Sequence, residues 1–542
     1  MLGLKLMRNK NSSAAKIFSY FICFAPVIFF IVIFYFWIAS AGTFSFDKSP
    51  GHYGELAEGF AQGHLNLSID PDPRLLQLPD PYDPSQNIRI RYAGVHDVSL
   101  FRDKFYLYFG PGAALMAYLP YHFFTGQYPD QRWAAVMFAS ASFCILSLLF
   151  ILMARPETKS QIVYVNLLML LAGFGNLVPY FLARSDMYEV AISSGTFTTS
   201  LFLLSLFLAS KYKKNSPVDD GFRAPKPEKI YNSSSRKKSR QAKMNANQDD
   251  LDVSLSENGE TRTLFFLSFA SLMAGMGVAC RPNLIVLVFP LFICSWVLCD
   301  EKKRLKWAGI ILAPLAFCGL MLAMYNYERF GSFTDFGSNY QLAGFDQRHE
   351  HWFNYDTVYG WKRQITALYM YFLNPPDYSI HFPFIIPSPH CPAWMFPGGT
   401  FVMEPIVGVL FGMPIVVLSF FSFLRKNSPR LILKSGFLKS LRNSPERLTL
   451  FVASVSFTAI FGLLLMIALI GTTSRYFVDF SGVLIFVSIA LWYRNRPKNV
   501  IFGLVLLYTL IFGFMTGVQG YYNRFGTTNP DLIRRIERMF TF

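Results

Sequence analysis

The sequence predicts an all-α integral membrane protein with about eleven transmembrane helices. Only 15% of the 542 residues are charged and 52% are hydrophobic, whereas a soluble chain carries nearer a quarter charged residues. The apolar residues occur in blocks of roughly 18 to 24, the length that a helix needs to cross the hydrocarbon. Basic residues, which give a net charge of +16, cluster between these blocks. That pattern is typical of membrane topology rather than of nucleic-acid binding.

Eleven apolar blocks follow one another along the chain, and each predicts one span. The blocks are 18–41, 133–153, 161–183, 189–210, 263–280, 284–299, 306–325, 403–424, 449–470, 476–493 and 499–517. They form the transmembrane groups 18–41, 133–210, 263–325 and 403–517. The first block is too long for the core of a signal peptide and lacks a clear cleavage site. We therefore expect a retained first span after a cytoplasmic N-terminus of residues 1–17.

A further candidate, residues 107–126, is interrupted by glycines and prolines. If this segment does not span and the N-terminus is inside, the basic segments fall on the cytoplasmic side, as the positive-inside rule requires. If it spans, nearly all of those charges fall on the wrong side. We therefore predict a re-entrant or membrane-parallel helix packed against protein, and a C-terminus outside.

Long connections separate the groups of spans. Residues 42–132 and 326–402 are predicted to be external loops, and residues 518–542 an external tail. Residues 211–262 form a cytoplasmic connection with a basic half, an acidic half and few apolar residues. Such a segment buries too little apolar surface to offset the entropy of ordering, so it is predicted to be disordered.

The seven cysteines do not predict a metal site or a disulfide framework. Six of them lie in or at the ends of apolar blocks, and Cys391 lies in a long loop. No pair has the spacing of metal ligands or of a CxxC motif.

The first predicted external loop begins with a helix signal between Pro50 and Gly63. Apolar residues recur there at helical spacing: Tyr53, Leu56, Ala57 and Phe60. The spacing predicts a short amphipathic helix lying on the membrane surface.

Asp47, Glu55 and Asp97 are the carboxylates of this loop that suit catalysis. Asp47 follows the first span, Glu55 lies in the predicted surface helix, and Asp97 comes later in the loop. A carboxylate at the interface can take a proton from an acceptor hydroxyl while a lipid phosphate leaves. Each also has a structural interpretation: Asp47 as a helix cap, Asp97 in an Asx-turn, and Glu55 on a solvated face.

Two arginines border apolar blocks on the predicted external side. Arg281 precedes Pro282, and Arg475 opens a block. Ionisable groups in the membrane are costly and usually face a cavity or a partner, and a guanidinium suits bidentate phosphate binding. The structural alternatives are an Arg475–Asp479 pair at i,i+4 or simple snorkelling.

Several segments in this order resemble recurring segments of the GT-C superfamily of membrane glycosyltransferases. The bacterial branch of that superfamily includes relatives of protein O-mannosyltransferases and of lipid A aminoarabinose transferases. The segments are HYGELAEGFAQGHLNL at 52–67, HDVSLFRDKFYLYFGPGAALMAYLP at 96–120, GMGVACRPN at 275–283, YNYERFGSFTDFGSNYQLAG at 325–344 and SRYFVDFSG at 474–482.

The resemblance implies a GT-C-like bundle with surface helices in the first external loop. It implies an inverting transfer of a sugar from a polyprenyl-phosphate-linked donor to a glycan, lipid or protein acceptor on the external face. Many members need no tightly bound cofactor, and a role for a divalent cation stays open. The expected partners are the donor, the acceptor and membrane lipids, without nucleic acid, and the expected location is a bacterial cytoplasmic membrane.

The chain departs from the family pattern around its catalytic acid. Members often carry an acid a few positions before the tyrosine of the first surface helix, but here the nearest acid upstream of Tyr53 is Asp47. The catalytic acid is therefore expected to be Asp47, with Asp97 or Glu55 as alternatives, unless activity has been lost. The other expected contacts are Arg475 and Arg281 for the donor phosphate, and His52, Tyr53 and His96 for the acceptor or sugar.

Two other functions are compatible with a membrane protein of this kind. A transporter or flippase for lipid-linked oligosaccharides predicts repeated halves and polar residues in mid-span, and neither is clear in the sequence. The other is a non-catalytic envelope assembly protein with a GT-C fold, and an external cavity lined by Asp47, Asp97 and Arg475 would distinguish an enzyme from it.

Overall fold

A computed structural model describes residues 13–46, 49–91, 95–184, 186–213, 245–344, 346, 348, 360–396, 402–426, 441, 444–467, 471–496 and 499–540. The helices of this part are α1 Ser13–Ala39, α2 Gly51–Ala61, α3 Pro73–Leu76, α4 Pro84–Asn87, α5 Leu119–Thr125, α6 Gln131–Ala154, α7 Lys159–Gly175, α8 Val178–Leu182, α9 Met187–Tyr212, α10 Asn245–Cys280, α11 Val288–Leu298, α12 Arg304–Phe330, α13 Gly360–Phe372, α14 Val409–Gly412, α15 Pro414–Lys426, α16 Pro445–Ile467, α17 Ser474–Asn495, α18 Asn499–Gln519, α19 Arg524–Thr528 and α20 Pro530–Arg538.

Short strands and tight helical turns join these helices. The strands are β1 Val98–Phe101, β2 Lys104–Leu107, β3 Asp377–Tyr378, β4 Ile385–Ile386, β5 Val402–Met403 and β6 Gly471–Thr472. A π-helix covers Ala114–Tyr118, and 3₁₀ turns cover Pro282–Leu287, Glu301–Lys303 and Ser338–Tyr340. The strands pair as β1–β2 and β3–β4, both antiparallel, and β5–β6, parallel.

The prediction of a multi-pass helical membrane protein is confirmed. Each predicted apolar block contains a helix. Seven helices in the described part are long and apolar enough to cross a membrane: Ile22–Ala39, Gln131–Ala154, Met187–Tyr212, Gly259–Cys280, Glu301–Phe330, Ser474–Asn495 and Asn499–Gln519. Lys159–Gly175 and Pro282–Leu298 are shorter apolar helices. The number of eleven spans and the orientation of the termini stay predictions.

Helix α9 lies inside the bundle and helix α12 at its periphery. Of the most apolar stretch of α9, 78% is buried within the protein, and α9 packs against α6, α10, α16 and α17. Its serine and threonine hydroxyls bond to its own backbone, as Ser193 does to the carbonyl of Glu189 at 2.6 Å, so their burial leaves them paired. Only 17% of the corresponding stretch of α12 is buried, which suits a helix that faces lipid.

Several helix termini meet at one end of the bundle, which we call the loop end. Helices α6, α9 and α17 begin there, and α10 ends there. Gln131, at the start of α6, donates to Asp186 before α9 at 3.2 Å, and Arg281, after α10, pairs with Asp479 of α17 at 2.9 Å. Asp186 and Glu189 form a capping box that satisfies backbone N–H groups at the start of α9.

Helix α2 forms where the sequence predicts a surface helix, but its apolar face packs on protein. Tyr53, Leu56 and Ala57 are at most 1% exposed, and the Tyr53 ring stacks on Tyr118 with centroids 6.0 Å apart. The π-helix of the same loop therefore covers the face that the sequence assigns to the membrane surface. Burial against protein removes this face from water as effectively as burial in lipid.

The two predicted external loops form one layer. In the first loop, Arg102 and Asp103 adopt φ of 48° and 59° at the turn of the β1–β2 hairpin, which periodicity did not reveal. The backbone of Leu342, from the second loop, donates to Val98 at 2.8 Å and accepts from Asp97 at 2.9 Å. This contact joins segments that are far apart in the sequence.

Residues 107–126 hold the end of β2, the π-helix and α5. A Cβ at Gly110 would lie 2.0 Å from the carbonyl oxygen of Ala279, and one at Gly112 would lie 2.5 Å from the sulfur of Cys280. The glycines therefore allow this segment to approach the end of α10. The helical part is too short to cross about 30 Å of hydrocarbon, while its depth in a membrane stays a prediction.

Segment 211–262 and the tail 518–542 contain more helix than the sequence predicts. Helix α10 begins at Asn245, inside the segment 211–262 predicted to be disordered, because a helix that has formed extends at little cost per residue. Residues 214–244 of that segment lie outside the described residues. The predicted tail 518–542 contains α19 and α20, and the Asn529 side chain donates to the carbonyl of Ala41 at 3.2 Å.

Candidate functional site

Four side chains from four segments meet at the loop end, and we call them the Asp97 cluster. They are Asp97 from the first loop, Tyr188 from α9, Glu404 after β5, and Arg475 from α17. The Tyr188 hydroxyl donates to Oδ2 of Asp97, and the Cζ atom of Arg475 lies 4.1 Å from the centroid of the Tyr188 ring. Tyr188 therefore brings the predicted carboxylate and the predicted phosphate ligand together.

Asp97 is held in a conformation that aims its carboxylate at Tyr188. Its φ of 58° is a left-handed value that Asp tolerates better than most residues, and its backbone N–H bonds to Leu342 at 2.9 Å. Burial raises the pKa of the Asp97 carboxyl, and His96, Arg475, Gln341 and Arg91 oppose that shift. Its side chain is still 16% exposed, so a reactant can approach the carboxylate.

Arg475 uses one edge of its guanidinium on Glu404. Its Nε donates to Oε2 of Glu404 at 3.2 Å, and its Nη2 donates to Oε1. Thr473, the cap of α17, also bonds to the carboxylate of Glu404. Among the described contacts, Nη1 of Arg475 makes no hydrogen bond, and Glu404 is the carboxylate that pairs with this guanidinium.

A parallel pair of strands places Glu404 beside Arg475. Strand β5 pairs with β6 in the register Met403 to Thr472, and the Glu404 N–H continues the pattern by donating to the carbonyl of Thr472 at 2.9 Å. Thr473 and α17 follow at once. A short backbone ladder therefore fixes an ion pair between residues 71 positions apart.

Arg281 lies near this cluster in a pair of its own. Its Nη2 lies 2.9 Å from Oδ2 of Asp479, and Asn283 donates to the same oxygen at 3.0 Å. Asp479 thus binds Arg281, and the i,i+4 pair with Arg475 that the spacing allowed does not form. Arg281 Nε and Asp479 Oδ1 are buried without a hydrogen-bond partner.

Tyr108 is a buried tyrosine whose phenol is within electrostatic reach of Asp97, Arg475 and Arg281. Burial raises the pKa of its phenol well above the usual value; the charge of Asp97 raises it further, while Arg475 and Arg281 lower it. These charges therefore share one neighbourhood at the loop end. Tyr108 belongs to the segment 96–120, one of those that resemble the GT-C superfamily.

Asp47, Glu55 and His52 are the predicted site residues near the start of the first loop. Asp47 lies outside the described residues, although Ser49 bonds to Asp130 and Gln131 at the start of α6. Glu55 bonds to His52 at 2.7 Å within α2. Their expected catalytic and contact roles stay predictions.

His96 and Tyr53 differ in access to a ligand. The His96 side chain is 54% exposed and its Nε2 lies 3.7 Å from the Asp97 carboxylate, so it can reach a substrate that Asp97 reaches. Tyr53 is 1% exposed, and its hydroxyl is buried without a partner. A sugar can contact Tyr53 only if the surrounding packing opens.

Sequence reasoning did not single out Tyr188 and Glu404. Tyr188 borders an apolar block and reads as an interfacial aromatic, while Glu404 is an acid near the start of the block 403–424. A carboxylate at the edge of a span is a signal in itself, and it could have identified Glu404. Among the described residues, no group of three or more His, Cys, Asp or Glu side chains is arranged to hold a metal ion.

No family model matches the chain, and no curated protein matches its sequence. The chain is similar to the crystal structure of ArnT from Cupriavidus metallidurans bound to undecaprenyl phosphate, with a TM-score of 0.36 and 11% identity over 95% of this chain and 77% of that chain. A likeness this distant does not assign a function, so the site residues have to support any proposal.

Proposed function

We propose that the protein is a GT-C-type membrane glycosyltransferase. It transfers a sugar from a polyprenyl-phosphate-linked donor to a glycan, lipid or protein acceptor on the external face of a bacterial cytoplasmic membrane, with the N-terminus inside. The observation that supports this most is the contact of Asp97 and Arg475 with the same tyrosine, Tyr188. A proton acceptor and a phosphate-binding group thus lie side by side where an apolar helix begins.

Asp97 is the general base of the proposed reaction. Its carboxylate takes the proton of the acceptor hydroxyl as that oxygen bonds to the anomeric carbon of the donor sugar. A carboxyl whose pKa is raised by burial holds a proton more tightly than an exposed one. The Tyr188 hydrogen bond orients the carboxylate, and Asp47 stays the alternative base.

Arg475 stabilises the departing phosphate. When the bond between the anomeric carbon and the phosphate oxygen breaks, the electron pair and negative charge stay on the lipid phosphate. The Nη1–Nη2 edge of Arg475 can donate two hydrogen bonds to that charge, while Glu404 holds the other edge. Because Arg475 is the second residue of α17, the phosphate would lie at the membrane surface with its lipid tail in the bilayer.

The flippase alternative requires a path through the bundle. One cavity between α6, α7, α9 and α17 has a volume of about 50 Å³, and its lining includes Ser142, Asn176, Thr196 and Ser481. A space of this size holds water rather than an oligosaccharide. This cavity therefore gives no support to transport over transfer.

The test is turnover of a polyprenyl-phosphate-linked sugar by the purified protein in proteoliposomes. We expect release of polyprenyl phosphate together with a glycosylated acceptor, both lost in Asp97→Asn. Movement of intact sugar-lipid between leaflets without cleavage would assign the protein to the flippases. Binding of the donor with neither cleavage nor movement would assign it to the non-catalytic assembly proteins.

A further inference from the structure

A third arginine of the loop end, Arg184, lies between α8 and α9 and was not singled out by the sequence. Its side chain is only 10% exposed. The Cζ atom lies 5.1 Å from the ring centroid of Tyr188, 4.8 Å from that of Tyr521 and 5.2 Å from that of Tyr522. Three aromatic rings thus surround this guanidinium, and rings attract a cation without using its N–H donors.

The hydrogen-bond donors of Arg184 are not all used. Its Nε and Nη1 atoms are buried without a hydrogen-bond partner. The nearest carboxylate oxygens, of Asp186 and Glu189, lie 3.7 Å and 3.9 Å from Nε, which is within range of charge attraction but too far for a hydrogen bond. A buried donor without a partner is costly, so it points to a group that binds there.

The two neighbouring carboxylates are engaged elsewhere. Asp186 and Glu189 accept backbone N–H groups at the start of α9 as its capping box, and Asp186 also accepts from Gln131. The positive end of the helix dipole balances these acids. Arg184 is therefore left with unused donors beside a helix start that its own two carboxylates already cap.

Arg184 lies within one tyrosine ring of the Asp97 cluster. Tyr188 touches Arg184 and Arg475 with its ring and Asp97 with its hydroxyl. The charges of Arg184, Arg475 and Glu404 also all act on Tyr521. An anion bound at Arg184 would thus lie beside the groups proposed to carry out the transfer.

We propose that Arg184 is a phosphate-binding residue that holds the anionic head group of a polyprenyl phosphate at the loop end. This proposal rests on the proposed function, which it deepens by naming a second guanidinium for the same phosphate. Arg475 and Arg281 each have a carboxylate on one edge. Arg184 also faces two carboxylates, of Asp186 and Glu189, at ion-pair distance, but its Nε and Nη1 donate hydrogen bonds to no described side chain.

The experiment measures binding rather than turnover. The protein in nanodiscs is titrated with a polyprenyl phosphate and, separately, with the neutral polyprenol of the same chain length. Arg184→Gln should weaken binding of the phosphate by about 10- to 100-fold, the scale of a charge-assisted hydrogen bond, and leave binding of the alcohol unchanged. Arg184→Lys should restore part of the loss. Arg534→Gln on α20 is the matched control, since Arg534 is 65% exposed and bonds only to Asp531 among its described contacts.

The outcomes separate a ligand contact from a structural role. An equal loss of phosphate and alcohol binding in Arg184→Gln, or no loss of either, would overturn the proposal. If inorganic phosphate displaces the polyprenyl phosphate completely, Arg184 binds free phosphate, and the assignment to a lipid phosphate is wrong. Thermal unfolding of each variant shows whether it folds. If Arg184→Gln does not fold, the binding test is made with Arg184→Lys instead. Selective phosphate binding without sugar transfer in the wild type would reject the proposed function alone.

Discussion

Two of the arginine–carboxylate pairs at the loop end, Arg281–Asp479 and Arg475–Glu404, differ in what surrounds them. Arg281 and Asp479 join the end of α10 to α17, and the Asp479 side chain is 1% exposed. Arg475 and Glu404 join α17 to a loop strand, with side chains 18% and 12% exposed. Only the second pair touches the tyrosine that binds Asp97. The same residue types therefore form a buried pair in one place and a partly accessible pair in the other.

Burial explains the difference between the pairs. A fully buried pair is held by the cost of leaving either charge unpaired, so Arg281 and Asp479 can move little without unfolding their surroundings. Arg475 retains one guanidinium edge and some access, which a ligand needs. This comparison leads us to expect that variants of the first pair lose stability and that variants around the second lose activity.

The largest effect is expected at Asp97. Asp97→Asn keeps the shape of the side chain and tolerates the left-handed backbone, but it cannot accept the proton. Turnover should fall by about 10²- to 10⁴-fold, the usual contribution of a general base, with unchanged membrane insertion. Turnover in proteoliposomes is the measurement.

Asp103→Asn is the matched control, because Asp103 lies in the same loop and also has a positive φ. It should retain wild-type turnover. Asp47→Asn is tested in parallel as the alternative base. A silent Asp97→Asn beside an inactive Asp47→Asn would move the assignment to Asp47, and two silent variants would reject acid–base catalysis by this loop.

The next effect is expected on stability at Asp479. Asp479→Ala leaves the Arg281 charge buried without its partner, and breaking such a pair costs about 3–5 kcal/mol. The free energy of unfolding in detergent micelles should fall by that amount. Glu404→Gln, in the more exposed pair, should cost far less. Equal losses in both variants would contradict the distinction between the two pairs.

A smaller effect is expected from replacing the planar fork of Arg475. Arg475→Lys keeps the charge but cannot offer two N–H groups along one edge, so donor binding should weaken by about 1–2 kcal/mol. Titration with the donor lipid measures this. Arg281→Lys is the comparison variant, and donor affinity that falls only in Arg281→Lys would transfer the phosphate contact to the buried pair.

The smallest effect is a displacement of the pH profile. A general base works only when ionised, and burial raises the pKa of Asp97 above its usual 3.8. Activity should therefore fall as the pH drops through that raised pKa. Because the fold raises this pKa, ionisation of Asp97 lowers the free energy of unfolding as the pH rises from 3.8 through the raised pKa. The acid limb of kcat/KM against pH is the measurement, and a limb at or below 3.8 would be inconsistent with Asp97 as the base.

Some features of the molecule follow from local spacing alone. The runs of apolar residues predict a helix in every block, from α1 to α18, because the length of a span and the side-chain period are properties of neighbouring residues. The helix at Gly51–Ala61 follows from the spacing of Tyr53, Leu56 and Ala57 for the same reason. Local spacing does not specify what covers a face, and protein rather than the membrane surface covers this one.

The candidate site is different, because its members come from segments far apart. Residue type and the predicted side of the membrane indicated Asp97 and Arg475 as separate candidates. It offered Asp479 as the partner of Arg475, four positions along the same helix, whereas Arg475 pairs with Glu404 and Asp479 pairs with Arg281. The sequence shows which side chains are charged but not which opposite charge each of them contacts in the fold.

The sequence by itself thus determined that this is a multi-pass helical membrane protein, since this follows from composition and local order, and it named acidic and basic candidates in the loops and at the ends of the spans. The tertiary structure alone decided which of those residues meet. Tyr188 bonds to Asp97 across 91 positions and holds Arg475 against its ring, and the β5–β6 ladder brings in Glu404. Such contacts depend on how helices and loops pack together, and packing is a property of the whole chain rather than of any one segment.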